Sequence, residues 1–309
     1  MFMIDLDYYI KKLQKKKFSI FLFHGVIKES VTGIRNYTKK HILEEDFENL
    51  MVNLKRYGIP LALDEVVQFH KKNMPLPDFS FSITFDDGFE NNYSIARPIL
   101  EKLSIPATFY VSTNLIDKNL MTWIDQIEYC IDQINSKTLY LPWSNVPFKI
   151  SSKKTKIKFL NYLRQILKKD PVIYPSKKLV RYIFQQCGIN FIRSSDGPLD
   201  KKMNWNQISN LHNNKLFSVG GHSHNHVSLG LLEPEEMKSE IQKSIYYLKN
   251  KGDIESQHYS YPEGLDIDYN KNVEKLLKIS GIKCCPTAID GQNNNILNNL
   301  FNLKRVMVV

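Results

Sequence analysis

A chain of 309 residues with 42% hydrophobic content carries enough apolar side chain for one large α/β domain or two smaller ones. Its four cysteines have no C-x-x-C spacing, which argues against a disulfide framework or a structural zinc site. The formal net charge is +10, no window approaches the ~18 uninterrupted apolar residues of a membrane-spanning helix, and the basic run before the first apolar stretch leads to no small-residue cleavage site, so a cytoplasmic protein is expected.

Taken in order, FSIFLFHGVI at 18–27 predicts a buried strand that ends near His24. Phe47, Leu50, Met51 and Leu54 recur at helical spacing, Gly58 stops that helix, and 59–63 is a candidate short strand. FSITFDDG at 81–88 predicts the next strand, SIARPILEKLSI at 94–105 a helix with Pro98 in its first turns, and PATFYVST at 106–113 another β segment. This alternation of strand and helix is the pattern of a parallel sheet or barrel.

The rhythm breaks over roughly 117–203, which reads as an inserted subdomain. It opens with an amphipathic helix carrying Trp123, Ile127, Cys130, Ile131 and Ile134, continues through a β-like patch at 138–150, and then enters a basic helix with Ile157, Leu160, Leu163 and Leu167 on one face. Between Lys149 and Arg181 stand eleven Lys and Arg and one acid, Asp170, a surface suited to an anion such as a phosphate-linked glycan or an acidic membrane leaflet. No nucleic-acid motif accompanies this charge, and no nucleic-acid partner is expected.

The alternation then resumes. Residues 203–232 predict a helix, a short strand and a loop, and 233–252 a helix with Pro234 near its start and Glu233, Glu235 and Glu236 at the positive end of its dipole. HYSYPEG at 258–264 predicts a strand running into a turn, 270–281 a helix stopped by Gly281, and IKCCPTA at 282–288 a strand holding the buried thiols Cys284 and Cys285. NNNILNN at 293–299 is an Asn-rich loop, and LFNLKRVMVV closes the chain.

Two features carry chemistry. Asp86 and Asp87 stand side by side at the end of an apolar strand, where like charges repel and burial is costly unless a cation sits beside them. In GGHSHNH at 220–226, His222, His224 and His226 fall within five residues. A helical turn would bring His222 and His226 together, and an extended segment would place all three on one face. Either way, one carboxylate and two imidazoles make a metal site with open positions for water and substrate, and the second carboxylate is then available as general base.

TFDDGF at 84–89, HSHNH at 222–226 and YSYPEG at 259–264 resemble the three motifs of the polysaccharide deacetylases, the NodB-homology or carbohydrate esterase family 4 group. Trp205 through Leu229, FLFHGVI and LKRVMV are similar too, so the resemblance spans most of the chain except roughly 117–200. It implies a distorted (β/α)7 barrel with an inserted, mostly helical subdomain: one deacetylase domain over 1–309, interrupted at about 117–203. It further implies removal of N- or O-acetyl groups from sugars with a divalent metal, most commonly zinc. Asp86 would be the base, and Asp87, His222 and His226 the metal ligands. Ser223 would shape the loop and His224 would stand by. Tyr261 and Pro262 would line the groove, with a backbone N–H near Tyr261 at the oxyanion.

Two departures from the family pattern stand out. The third motif lacks its usual Arg, and Arg305 is the candidate substitute. No His follows His258, so protonating the departing amine falls to another group or to Asp86 acting twice; His24 is the candidate, with His258 a weaker one. Trp123 and Asp125 of the insertion are candidates to reach the substrate. The expected substrate is an acetylated sugar, N-acetyl foremost, of a cell-surface glycan such as lipopolysaccharide or capsule, or of its phosphate- or lipid-linked intermediate, met at the inner face of the membrane with peripheral contact through 149–181. Hydrolysis of a cyclic or formyl amide, and glycan binding without catalysis, are the alternative readings.

Overall fold

The computed structural model describes residues 4–169, 176–294, 296 and 299–309. Asp170 of the basic segment and Asn295, Leu297 and Asn298 of the Asn-rich stretch lie outside them. The chain forms two compact units: the first comprises Met1–Glu29, Lys40–Asn119 and Lys202–Val309, the second Ser30–Lys39 and Leu120–Lys201.

The first unit is built on parallel strands in the order Val306–Met307, Ser19–Phe23, Ser80–Phe85, Ala107–Val111 and Phe217–Gly221, with Ile59–Pro60 also paired to Ser80–Phe85. Ser19–Phe23, Ser80–Phe85 and Ala107–Val111 are buried along their whole length, which is why they read as near-continuous apolar runs. Single parallel bridges carry the ring onward: Gly221 to Tyr259, His258 to Cys284, and Asp290 to Arg305. Arg305 adjoins Val306, which pairs with Phe21, so seven parallel segments in chain order close a barrel. Three of the junctions hold by one bridge each, and there the barrel is distorted.

Alternation along Ser80–Phe85 decides what the strand offers to each side. Phe81, Ile83 and Phe85 join the core shared with helix Glu44–Tyr57 through Phe47, Leu50, Met51 and Leu54. Phe23, Phe85 and Phe109 are in register on three neighbouring strands and stack with ring centroids 5.4 and 4.9 Å apart. Ser82, Thr84 and then Asp86 take the opposite parity, so a carboxylate at 86 is delivered to the barrel interior.

Several expected elements differ. The strand at 18–27 divides at His24: Ser19–Phe23 pairs in the barrel, while Gly25–Ile27 pairs with His41–Leu43. The candidate strand at 59–63 is only Ile59–Pro60, because Leu63 already begins a helix, Leu63–Lys71, whose residue Glu65 caps Ala62 N–H at 2.8 Å. HYSYPEG and IKCCPTA are not strands. Their pairings are the isolated bridges above, since Cys285 N–H turns to Leu300 O at 3.0 Å and Pro286 has no N–H to give. The helix around Pro98 is Arg97–Leu103, preceded by a π-helical turn at Asn92–Ala96.

The second unit packs helices Trp123–Asp132, Lys153–Lys169 and Ser176–Cys187 with the antiparallel hairpin Lys137–Leu141 and Ser144–Ile150. Ile127, Ile131, Leu160, Leu163, Leu179 and Ile183 form its core. Arg35 ties the short segment to it, pairing with Glu128 at 3.3 Å and Asp200 at 2.6 Å. Among the described residues no helix is long and apolar enough to cross a membrane.

Candidate functional site

Asp86 continues its strand, donating its N–H to Phe23 O at 3.0 Å. The chain then turns sharply: Asp87 and Gly88 both take left-handed backbone, at φ 72° and 70°. A Cβ at Gly88 would stand 2.7 Å from Ile116 Cδ1, so glycine fits there on two counts. The left-handed turn at Asp87 costs an L-residue roughly 1–2 kcal/mol; both carboxylates reach the His222 ring, Asp87 Oδ1 at 3.6 Å and Asp86 Oδ2 at 4.0 Å from Nε2.

The second half of the site follows strand Phe217–Gly221. His222 to His226 form neither a helical turn nor an extended run: Ser223 and His226 each have φ 54°. These two left-handed residues fold the loop so that the rings of His222 and His226 lie 5.0 Å apart. His224 is turned away, its Nδ1 2.8 Å from Thr113 Oγ1 and its ring 4.8 Å from that of Tyr247. Ser223 holds the loop from within, accepting Val227 N–H on Oγ at 3.1 Å and donating its own N–H to Tyr259 OH at 2.8 Å.

The two halves meet. Asp87 Oδ1 lies 3.0 Å from His226 Nε2 and 3.6 Å from His222 Nε2. The ligand atoms of the three residues fall within 4.8 Å of one another, the one such group of His, Cys, Asp and Glu among the described residues. Asp87 Oδ1 is buried, and its nearest polar neighbours are the two imidazole nitrogens, an anionic oxygen facing two ligand atoms. His222 Nδ1 lies 3.0 Å from Ser260 O and 2.7 Å from Ser260 Oγ. A carbonyl only accepts, so Nδ1 carries the proton and Nε2 presents its lone pair to the centre. One carboxylate oxygen and two imidazole nitrogens suit a divalent ion of the zinc type.

The charges of the three residues are coupled. Burial pushes Asp87 toward its neutral form, but His226 beside it prevails and holds the carboxyl well below the usual range. Burial likewise opposes a charge on His226, yet Asp87 raises it to about 9. His222 is lowered to about 4, chiefly by burial.

Arg305, 1% exposed, places Nη1 2.8 Å from Asp86 Oδ1 and Nη2 2.7 Å from Oδ2, and its Nε donates to Thr287 O at 2.5 Å. Against burial, this guanidinium keeps the Asp86 carboxyl below its ordinary value, with His222 assisting. Ser260, which sequence reasoning missed, joins the two halves: its Oγ reaches both His222 Nδ1 and, at 3.3 Å, Asp86 Oδ1. A serine between two tyrosines gives no chemical signal in a sequence.

His24 is half-buried at the end of Ser19–Phe23, its Nδ1 buried without a partner and its carbonyl accepting from Asn92 Nδ2 at 2.7 Å. Burial lowers its pKa, partly offset by Asp87 and Asp86. His258 is not in this group; its Nε2 pairs with Asp64 Oδ1 at 2.9 Å. The Tyr261 ring is fully buried, stacked 4.3 Å from Tyr269 with its OH donating to Phe301 O at 3.2 Å, which leaves its backbone rather than its ring for any groove. Pro262 is buried, its carbonyl accepting Gly264 N–H at 2.7 Å. Trp123 belongs to the second unit, half-buried against that unit's core, and Asp125 there accepts from Thr122 Oγ1 at 2.7 Å.

Comparison with known proteins agrees with this geometry. No curated protein matches the sequence. Among solved structures, IcaB from Ammonifex degensii superposes with a TM-score of 0.61 at 16% identity, covering 96% of this chain and 93% of that one. The Streptococcus pyogenes deacetylase PplD in complex with acetate gives 0.59 at 16% identity over 95% and 92%. The BpsB deacetylase domain from Bordetella bronchiseptica gives 0.55 at 14% over 96% and 97%. These likenesses show the fold, the distorted (β/α)7 barrel. The family model described as polysaccharide deacetylase matches residues 73–285, and this chain belongs to the polysaccharide deacetylase family.

Proposed function

We propose that this protein is a metal-dependent deacetylase that hydrolyses an acetyl group, N-acetyl foremost, from a sugar of a cell-surface glycan or its biosynthetic intermediate. The observation that carries the reading is the convergence of Asp87, His222 and His226 beside an Asp86 locked by Arg305. The three residues would hold a divalent ion, zinc foremost, which supplies Lewis-acid polarisation and makes water more acidic.

Asp86 is the general base. The guanidinium of Arg305 fixes both its oxygens and keeps it ionised, so it can take a proton as water attacks the acetyl carbon. Ser260 holds His222 and Asp86 in a common register. His24, with a buried and unpartnered Nδ1, is the candidate to protonate the departing amine. A backbone N–H near Tyr261 would meet the oxyanion, with Pro262 beside it. The chain acts as one deacetylase domain over 1–309, with the insertion at about 117–203. We place it in the cytoplasm at the inner membrane face, where the basic stretch 149–181 meets a phosphate- or lipid-linked substrate.

The test is metal content of the purified protein together with acetate release from a panel of acetylated sugars, run beside cyclic and formyl amides. Zinc with acetate release that Asp86→Asn abolishes supports the reading. Turnover of the amides alone favours the amidase, and bound zinc with no hydrolysis favours a glycan binder.

A further inference from the structure

The loop that presents His222 and His226 contains two left-handed residues, Ser223 and His226, and no helical or strand hydrogen bonding of its own. A backbone in that state persists only where its surroundings over-determine it. The surroundings converge on His224 and Asn225, two of the three residues between the imidazoles. Glu240, half-buried on helix Pro234–Gly252, accepts the N–H of His224 at 3.1 Å and of Asn225 at 2.9 Å on Oε2, and Asn225 Nδ2 at 2.5 Å on Oε1. Asn225 Oδ1 in turn accepts from Asn114 Nδ2 at 2.7 Å, and His224 O accepts from Asn114 N–H at 2.8 Å.

We propose that Glu240 is a positioning residue that clamps the His222–His226 loop in its metal-binding form, an inference that rests on the metal reading above. Three donors end on one carboxylate, so the bonds are charge-assisted and stronger than neutral ones. They pin Asn225 from backbone and side chain, and Val227 N–H is pinned by Ser223 Oγ on the other side of His226. His226 is thereby bracketed, and its left-handed φ of 54° is held from both sides. Without the carboxylate, two successive N–H groups lose their acceptor, and the loop can regain hydrogen bonds only by changing shape.

The test uses the full chain and zinc itself, with affinity measured by competition against a chromogenic chelator and thermal midpoints measured metal-free. Glu240→Ala is expected to weaken zinc binding about 10–100-fold with the metal-free midpoint little changed, and saturating zinc is expected to restore most of kcat. Glu240→Gln, which retains one acceptor oxygen, and Asn225→Ala, which removes a single leg, should show smaller losses in the same direction. If Glu240→Ala does not fold, those two variants carry the test. Zinc affinity within twofold of wild type in the folded variants overturns the inference, as does lost kcat at saturating zinc with normal affinity. A wild-type protein that takes up no zinc overturns the metal reading and this inference together.

Discussion

Arg305 and Asp86, separated by 219 residues in sequence, meet in the barrel interior through two parallel hydrogen bonds of 2.8 and 2.7 Å. Neither charge has enough water to stand alone there. Breaking a buried pair from one side typically costs about 3–5 kcal/mol, because the surviving charge is stranded. Arg305→Met should therefore lower stability by about that much in denaturant melts. The double variant Asp86→Asn, Arg305→Met should be less destabilised than the sum of the single changes; additivity would contradict the pairing.

The same pair fixes a pH response. Asp86 lies below its ordinary value of 3.8 because Arg305 outweighs burial. Its contribution to stability is thus present above 3.8 and lost as pH falls below that value. Without Arg305, only His222 and His24 oppose burial, and the carboxyl protonates at higher pH. The acidic limb of kcat/KM in a folded Arg305→Lys variant, whose ammonium cannot form the paired contact, should move upward; an unmoved limb would remove Asp86 as the titrating base.

Metal retention should depend on each half of the site. Asp87→Ala and His226→Ala should lose stoichiometric zinc by elemental analysis. Stripping wild-type protein with a chelator should lower its thermal midpoint, since zinc at 100 times its Kd adds about 2.7 kcal/mol. A midpoint indifferent to zinc and chelator would count against the site.

His24 can be separated from the metal ligands. His24→Ala should reduce kcat about 10²–10⁴-fold and leave zinc affinity unchanged. Full activity in that variant would assign the proton to another group.

Helix Lys153–Lys169 of the second unit exposes Lys153, Lys154, Lys168 and Lys169. Replacing all four with Ser should raise KM for phosphate- or lipid-linked substrates at low salt and converge with wild type near 1 M salt, where screening shortens to roughly 3 Å. Kinetics equal to wild type at every ionic strength would dissociate this face from substrate.

The sequence made part of this visible. Asp86 with Asp87 and His222 with His226 were legible because rare residue types at fixed spacing have few structural reasons to occur. Arg305 was legible only against the lack of a guanidinium in HYSYPEG. The route by which the histidines converge was not legible: no glycine marks the left-handed turns at Ser223 and His226. Ser260 and Glu240 act through ordinary hydrogen bonds, and a Glu on the polar side of an amphipathic helix looks like any solvated acid. The segments around Tyr259 and Cys284 have the composition of strands, but each bridges its neighbour at a single position, and the extent of pairing is set by the partner rather than by local sequence.

The closure of the barrel through Arg305 has a consequence for the order of events during synthesis. At about 5–20 residues per second, the ribosome makes the counter-charge of Asp86 some ~10–40 s after the carboxylate itself, given their separation of 219 residues. Until then Asp86, just past the nascent strand Ser80–Phe85, lacks its guanidinium partner, and the neighbouring Ser19–Phe23 has one flank open. The ring cannot be completed piecemeal, and its long-range pairings predict slow maturation and a dependence on whatever shields open strand edges in the interval.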